Sequence, residues 1–426
     1  MRQRSFRRQP RWMLWFQPWS YLDWLLLAAV ILLTGLGAIA IGSIQLQQGL
    51  RDWPQHLGTG VLGLIFTFAL ARWPYDRLLP FHWVTYLLTN LALVVVLIIG
   101  TGASEVGAQS WIPIAGFNVQ PSEFAKVGII ITQAALLQQQ PADRLSSILR
   151  VFAVTIVPLG LILLQPDLGT ALVFGAITLG MLYWANANGG WIILLVSPLV
   201  SAILFSLPLP FHLSLVVWLL WTVGMGLVGW FSLPFRFLGA FASVVLNLVS
   251  AGLGQLLWSL LKDYQKDRLT LFLDPDKDPL GGGYHLIQSR IAIGAGGLWG
   301  RGLHEGTQTQ LGFIPEQHTD FIFSAIGEEF GLIGGLVVIF LFWLICFRLV
   351  VIANNAKDDF GSLLAIGMFS MIVFQVFINV GMTIGLTPVT GIPLPWISYG
   401  RSSLLTNFIA LGLVESVANF RPRQRY

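Results

Sequence analysis

Charge is scarce in this chain: Asp, Glu, Lys and Arg together make up 10% of its 426 residues, against about a quarter in an average soluble domain. A surface built for water is excluded. The only cysteine, Cys346, lies in an apolar run, which rules out a disulfide framework or a cysteine metal site and leaves it as a small packed residue. The apolar runs also lack alternation. Leu161 to Leu164 and Val94 to Ile99 are apolar at every position, whereas a transmembrane barrel needs strands of about ten residues that alternate apolar and polar. The glycine-rich stretch Gly294 to Gly306 has neither GxGxxG nor P-loop spacing, which argues against a nucleotide site. The net charge of +4 sits mainly at the two ends and in short loops rather than on a stripe, so no nucleic acid partner is expected.

What the chain does have is hydrophobic residues, 55% of the total. They fall into blocks of about 17 to 25, the length a helix needs to cross about 30 Å of hydrocarbon. The blocks lie near 24–44, 57–73, 82–100, 122–138, 147–164, 168–185, 190–207, 212–230, 235–260, 319–347, 361–385 and 402–420. The expected fold is an all-α polytopic membrane protein, with residues 1–426 forming one membrane domain. Residues 1–20, with five arginines from Arg2 to Arg11, read as a basic cytoplasmic tail, and Arg421, Arg423 and Arg425 place the other end on the same side. Ala38, Ile39 and Ala40 mimic a signal-peptidase site, but the first block is longer than a signal core of 7–15 residues and reads as an uncleaved span. Pro208, Pro210 and Pro234 leave two readings of residues 212–260, a spanning hairpin or re-entrant pieces.

This orientation gathers three polar segments on the extracytoplasmic side: Thr101 to Gln120, the long loop 261–317, and Leu386 to Gly400. The long loop carries Lys262, Lys266, Arg268, Lys277, Arg290 and Arg301 against the positive-inside bias, which points to an anionic ligand or lipid headgroup. Glu123 and Lys126 are three apart on the fourth block, where Pro121 opens a helix, so they share a face and can pair. Asp167 reads either as the cap of the sixth helix or as part of a polar cavity. Asp274, Asp276 and Asp278 alternate with Pro275, Lys277 and Pro279, a pattern of turn chemistry with only a weak likeness to a calcium loop. His318 is a lone interface histidine, and Asp320 and Glu328 are eight apart, on roughly one face if one helix holds both.

Seven stretches resemble one family, the SEDS proteins (shape, elongation, division and sporulation). They are GAQSWI from Gly107, QPSEFAK from Gln120, QPDLGT from Gln165, DPLGGGYHLIQS from Asp278, PEQHTDFIF from Pro315, GEE from Gly327 and GLTPVTGIPLPWISYG from Gly385. Their order and topology span nearly the whole chain. The resemblance implies a SEDS-type bundle with ten core transmembrane helices and an inserted helical hairpin at 212–260, twelve spans in all. It also implies a peptidoglycan glycosyltransferase of the bacterial cytoplasmic membrane that polymerises lipid II during cell-wall elongation. The stretch Gly306 to Phe321 is more similar to elongation members than to division members. Implied partners are lipid II, a class B penicillin-binding protein transpeptidase and other elongation-complex membrane proteins.

In the family the essential aspartate of the outer loop begins the segment matched here at Asp278; the residues by themselves do not separate it from Asp274 and Asp276. The implied chemistry is inverting transfer from a polyprenyl pyrophosphate, with Asp278 as general base. The departing pyrophosphate would meet Lys126, Arg290 or a divalent cation, Mg2+ or Mn2+. Glu123, Asp167, Gln288, Ser289, Glu316, His318 and Asp320 are the expected supporting or substrate-binding residues. Two departures stand out: Ser110 where many members carry arginine, and Arg401 where many carry glycine. A rival from another class is a lipid-precursor flippase or transporter, which would concentrate its ionisable groups near the bilayer midplane.

Overall fold

The computed structural model describes residues 21–46, 51–102, 110–114, 117–206, 211–260, 266, 271–272, 274–279 and 283–421. The basic tail 1–20, residues 107–109, Lys262, Arg268, Arg423 and Arg425 lie outside the described residues.

Every apolar block forms a helix: α1 (Trp24–Gln45), α2 (Trp53–Ala71), α3 (His82–Ile99), α4 (Pro121–Gln139), α5 (Leu145–Leu164), α6 (Leu168–Trp184), α7 (Gly189–Ser206), α8 (Phe211–Ser232) and α9 (Arg236–Leu260). After α10 (Tyr284–Gly296) in the outer loop come α11 (Ile322–Asn354), α12 (Asp359–Ile384) and α13 (Arg401–Asn419). The fold is all-α apart from one small antiparallel hairpin ahead of α4, Ile112–Ile114 with Phe117–Val119, in which Pro113 faces Asn118.

Among the described helices, nine are long and apolar enough to cross a membrane. The three blocks that fall short are α4, α6 and α13. Helix α6 falls short by length alone, at 17 residues; for the other two the reason is position: α4 is buried on almost every side from Pro121 to Leu137, and α13 from Ser403 to Ala418 is enclosed in the same way. A helix surrounded by other helices meets protein instead of lipid, so it can carry Glu123, Lys126, Gln133 or Asn407 provided the neighbours supply partners. Gln133 does so by donating to Thr155 Oγ1 at 2.8 Å and Thr178 Oγ1 at 2.7 Å, which ties α4 to α5 and α6. The outer ring instead shows its apolar side chains, such as Leu87, Leu220 and Phe377.

Residues 212–260 form the helical pair expected of them. Helices α8 and α9 pack on each other and on α7, and α7 joins the rest through α6. Their seam is polar in a way that suits hydrocarbon, where a buried donor must find its acceptor inside the protein. Asn247 Nδ2 donates to Ser197 Oγ at 3.0 Å, Trp218 Nε1 to Ser201 Oγ at 2.8 Å, and Trp221 Nε1 to Asn247 Oδ1 at 3.2 Å.

At the far end from the outer loop, Asp23 caps α1 through Leu26 N–H at 3.1 Å and accepts Arg348 Nε at 2.8 Å, while its own N–H donates to Glu415 at 2.9 Å. One aspartate thus joins the ends of α1, α11 and α13. Helix α11 is broken at Gly331, which has φ 66° and ψ −163°. The chain just after α10 fills the break: Leu332 N–H donates to Gly297 O at 2.9 Å, and Arg301 N–H to Glu328 O at 2.9 Å. A Cβ on Gly331 would lie 2.3 Å from Gly300 N. Replacement of Gly331 by alanine therefore adds both a collision and backbone strain of about 1–3 kcal/mol. Gly331→Ala is expected to lower the unfolding temperature of the purified protein clearly, and an unchanged temperature would show that the break is not tightly held.

Candidate functional site

The site is built where α4 and α6 begin. Pro121 fixes the first turn of α4 and removes an N–H that has no helical partner there. Glu123 follows in the same turn, where the helix dipole favours a carboxylate. One turn further, Lys126 Nζ lies 2.8 Å from Glu123 Oε2, with both side chains almost wholly enclosed, 1% and 3% exposed. The pairing read from the spacing is present, and it is buried.

Asp167 is both a cap and part of a polar group. It caps α6, with Oδ1 accepting Thr170 N–H at 3.0 Å, and its Oδ2 accepts Gln120 Nε2 at 3.3 Å. Burial pushes its carboxyl above the usual range; the Thr170 hydrogen bonds oppose that, the Glu123 charge adds to it, and Lys126 opposes it. The side chain keeps partial solvent access, so the low local polarity comes from the packed helix ends around it. Glu123, Lys126 and Asp167 form one electrostatic group.

The segment between α12 and α13 closes over this group. Gly169 approaches it so tightly that a Cβ there would sit 2.6 Å from Thr390 O. Ser402 Oγ accepts Gln120 N–H at 3.0 Å and donates to Asn118 O at 3.2 Å, fastening α13 to the hairpin and to the start of α4. Asn379 Nδ2 donates to Asp320 O at 2.9 Å and to Ile392 O at 2.8 Å. The Asp320 carboxylate lies against Gly391, whose position for a Cβ is 3.3 Å from Oδ2. Asp320 thus joins the same segment from the other side.

Asp320 precedes α11, which starts at Ile322, so the eight-residue spacing to Glu328 does not place them on one helical face. Glu328 is instead an anchor. It is fully buried and accepts Gln308 N–H at 2.9 Å, Thr309 N–H at 2.8 Å and Thr309 Oγ1 at 2.6 Å. Its neighbour Glu329 accepts the Ser43 hydroxyl, with His304 Nδ1 2.9 Å from the same Ser43 oxygen. Both carboxylates hold the outer loop to α1 and α11.

The remaining expected residues divide by place. His318 O accepts Tyr399 N–H at 2.9 Å, and the two rings lie 5.6 Å apart at the rim of the 385–400 segment. Burial, then the Asp52 charge, pushes the Tyr399 phenol up, with Arg401 opposing. Glu316, at φ 49°, makes a local turn, its carboxylate accepting Thr319 Oγ1 at 3.1 Å. Ser289 is buried and joins α10 to Ser324 Oγ at 2.6 Å and Thr383 O at 2.7 Å. Gln288 beside it is half-buried. Arg290 donates to Gly385 O at 3.1 Å, which places its charge on the C-terminal end of α12. Ser110 is buried.

Asp278 is exposed at the end of the Pro275–Lys277 turn, and its carbonyl accepts Gly283 N–H at 3.0 Å just before α10 begins. The exposed Lys277 and Asp274 pair at 3.6 Å. Among the described residues no three His, Cys, Asp or Glu side chains gather as a metal cage; a Mg2+ or Mn2+ carried by a pyrophosphate would need only one or two carboxylates. Asn379, Ser402 and Tyr399 are parts of the site that sequence reasoning does not single out. Their only signal is polarity at the ends of apolar blocks, which many surface residues share.

A buried charge left without its partner costs about 3–5 kcal/mol, while an apolar pair of similar size in place of both can be neutral. Glu123→Met and Lys126→Met alone are therefore expected to lower the unfolding temperature strongly, and the double variant to recover most of the loss. Additive losses in the double variant would refute the pairing.

The family described as cell cycle protein, FTSW_RODA_SPOVE, matches this chain over residues 21–221 and 213–423. The peptidoglycan glycosyltransferase RodA of Treponema pallidum (strain Nichols) is 35% identical, with 93% of this chain and 98% of that protein covered. A probable peptidoglycan glycosyltransferase FtsW of Trichlorobacter lovleyi is also 35% identical, with 93% of each covered. Among solved structures, a chain from a study of how a peptidoglycan synthase complex coordinates polymerization and crosslinking superposes with TM-score 0.70 and 28% identity, covering 95% of this chain and all of that one.

Proposed function

The chain belongs to the FTSW_RODA_SPOVE cell cycle protein family and is a multi-pass membrane protein and peptidoglycan glycosyltransferase; from that premise we propose how its residues divide the chemistry. The substrate is lipid II, a disaccharide peptide on undecaprenyl pyrophosphate, polymerised into glycan strands during cell-wall elongation on the extracytoplasmic side, with both termini in the cytoplasm. Residues 212–260 are a hairpin inserted into a ten-helix core. Because the related synthase complex couples polymerization to crosslinking, the working unit here pairs this chain with a class B penicillin-binding protein as transpeptidase.

The observation that supports this division of labour most is the enclosed Lys126 beside Glu123 and Asp167. A cation in an apolar bundle is costly, and it becomes useful where a leaving group gathers negative charge away from water. Arg290 gives one N–H to the Gly385 carbonyl and stays exposed; the departing pyrophosphate is assigned to the enclosed Lys126, once the lipid-linked donor parts the 385–400 segment from the ends of α4 and α6. Asp278, exposed in the outer loop, removes the proton of the acceptor hydroxyl as that oxygen attacks the anomeric carbon. The carbon–oxygen bond to pyrophosphate breaks in the same displacement, with inversion and no covalent enzyme intermediate. Asp320, Asn379 and Ser402 hold the 385–400 segment and its flanks in place over the Lys126 group.

Purified protein given lipid II, alone and with its transpeptidase, is expected to make long glycan strands. Asp278→Ala should lower the polymerisation rate by about 10²–10⁴-fold, the usual worth of a general base, while Asp274→Ala stays near wild type. Full activity in a folded Asp278→Ala protein would remove the assignment. Transport of lipid II across vesicles without polymer would favour the flippase reading.

A further inference from the structure

Gln375 lies on α12, fully buried, and among the described residues neither its Nε2 nor its Oε1 has a hydrogen-bond partner. Its buried neighbours Met371, Ile372 and Ile378 are apolar, and Asn379, one turn on, gives its amide N–H groups to Asp320 O and Ile392 O. An enclosed amide without a partner is costly, and an apolar side chain of the same shape would avoid that cost. The residue therefore calls for a use.

Its position can be derived from the packing of α12 against α4. The two helices are antiparallel: α4 starts, and α12 ends, at the 385–400 segment. Gly367 sets their level, since a Cβ there would be 2.5 Å from Ile130 Cγ2. Gln375 lies eight residues toward the outer end, about 12 Å at 1.5 Å per residue, and Glu123 lies seven residues from Ile130 in the same direction, about 10.5 Å. Ile130, Lys126 and Glu123 share one stripe of α4 because they are spaced four and seven residues apart. Gln375 points away from the lipid-facing side of α12, marked by Phe377 at 63% exposure.

A second buried amide reaches the same depth from α13. Ser402 is level with Gln120 through their hydrogen bond, and five residues deeper Asn407 is enclosed with Oδ1 unpartnered among the described residues. The Lys126 ammonium has three protons and one carboxylate partner in this arrangement.

We propose that Gln375 is a positioning residue for the transfer reaction: unpartnered at rest, its amide N–H takes over Glu123, and its amide oxygen a proton of the Lys126 ammonium, when Lys126 turns to the pyrophosphate. The inference rests on the reading that Lys126 meets the leaving group. A lysine that leaves its carboxylate exposes a bare anion in an apolar bundle; a neutral amide at the same level lowers that cost without adding a charge. The benefit is greatest as the pyrophosphate departs, because charge on the leaving group is then largest.

The test is Gln375→Met, close in shape but without donor or acceptor, with Gln375→Asn as the variant that keeps the amide. In steady-state polymerisation of lipid II, Gln375→Met is expected to lower kcat about tenfold and raise KM less than threefold, with an unfolding temperature at or above wild type. Gln375→Asn should recover part of kcat. Wild-type kcat in Gln375→Met overturns the proposal, as does an equal loss in both variants with a lowered unfolding temperature, which would mark a packing role. If wild-type protein itself made no glycan, the enzymatic reading would fail separately. Calorimetric titration with inorganic pyrophosphate, which needs no turnover, would then still decide on Gln375: about tenfold weaker binding by Gln375→Met supports it and equal binding overturns it.

Discussion

An ion pair held out of water inside an apolar bundle is the constraint around which this molecule is arranged. Lys126 and Glu123 meet at 2.8 Å in the first turns of a helix that is enclosed on nearly every side. Taking two charges from water is favourable only where geometry is good and the remaining lone pairs and protons find polar neighbours. The surroundings follow from that demand. Asp167 and Gln120 join the starts of α6 and α4, Ser402 fastens α13 to the same corner, and the 385–400 segment presses on Gly169. Catalysis by charge stabilisation uses the same low-dielectric setting, since a cation acts far more strongly on a leaving group where water is absent.

A second rule, that every backbone group in hydrocarbon must be paired, explains how the outer loop is held. The break at Gly331 frees helical donors of α11, and the chain after α10 accepts them. Glu328 satisfies the N–H groups of the short turn at Thr307–Gln310. Arg290 and Ser289 tie α10 to the end of α12. The loop that carries Asp278 is therefore anchored at its later part by buried carboxylates, while Asp278 itself stays open to solvent. That division suits the role proposed for Asp278.

Several elements are legible in the amino-acid sequence alone. The apolar blocks mark every long helix, because length and continuous hydrophobicity are local properties set by bilayer thickness. The i, i+3 spacing marks the Glu123–Lys126 pair, and an aspartate ahead of an apolar run marks the cap on α6. Other features depend on contacts between distant segments and have no local signature. The spacing of Asp320 and Glu328 suggests a shared helical face, but α11 begins only at Ile322, so one carboxylate faces the 385–400 segment and the other anchors a turn. Arg290 reads from its loop as one of the anion-binding cations, and its contact with the Gly385 carbonyl comes from packing that the loop does not foretell.

By itself the sequence determined the membrane environment, the helices and the nearest-neighbour pairings, since hydropathy and helical periodicity act over a few residues. Motif order across the chain determined the family. Only the tertiary structure decided which scattered polar residues share a level of the bundle. Gln375 and Asn407 stand on largely apolar helices with only scattered polar residues, such as Asn379 and Thr406, nearby, and nothing local shows what they face. Packing of α4, α12 and α13 brings them to the depth of the buried pair, because helix contacts such as Gly367 on Ile130 set the register between segments more than two hundred residues apart.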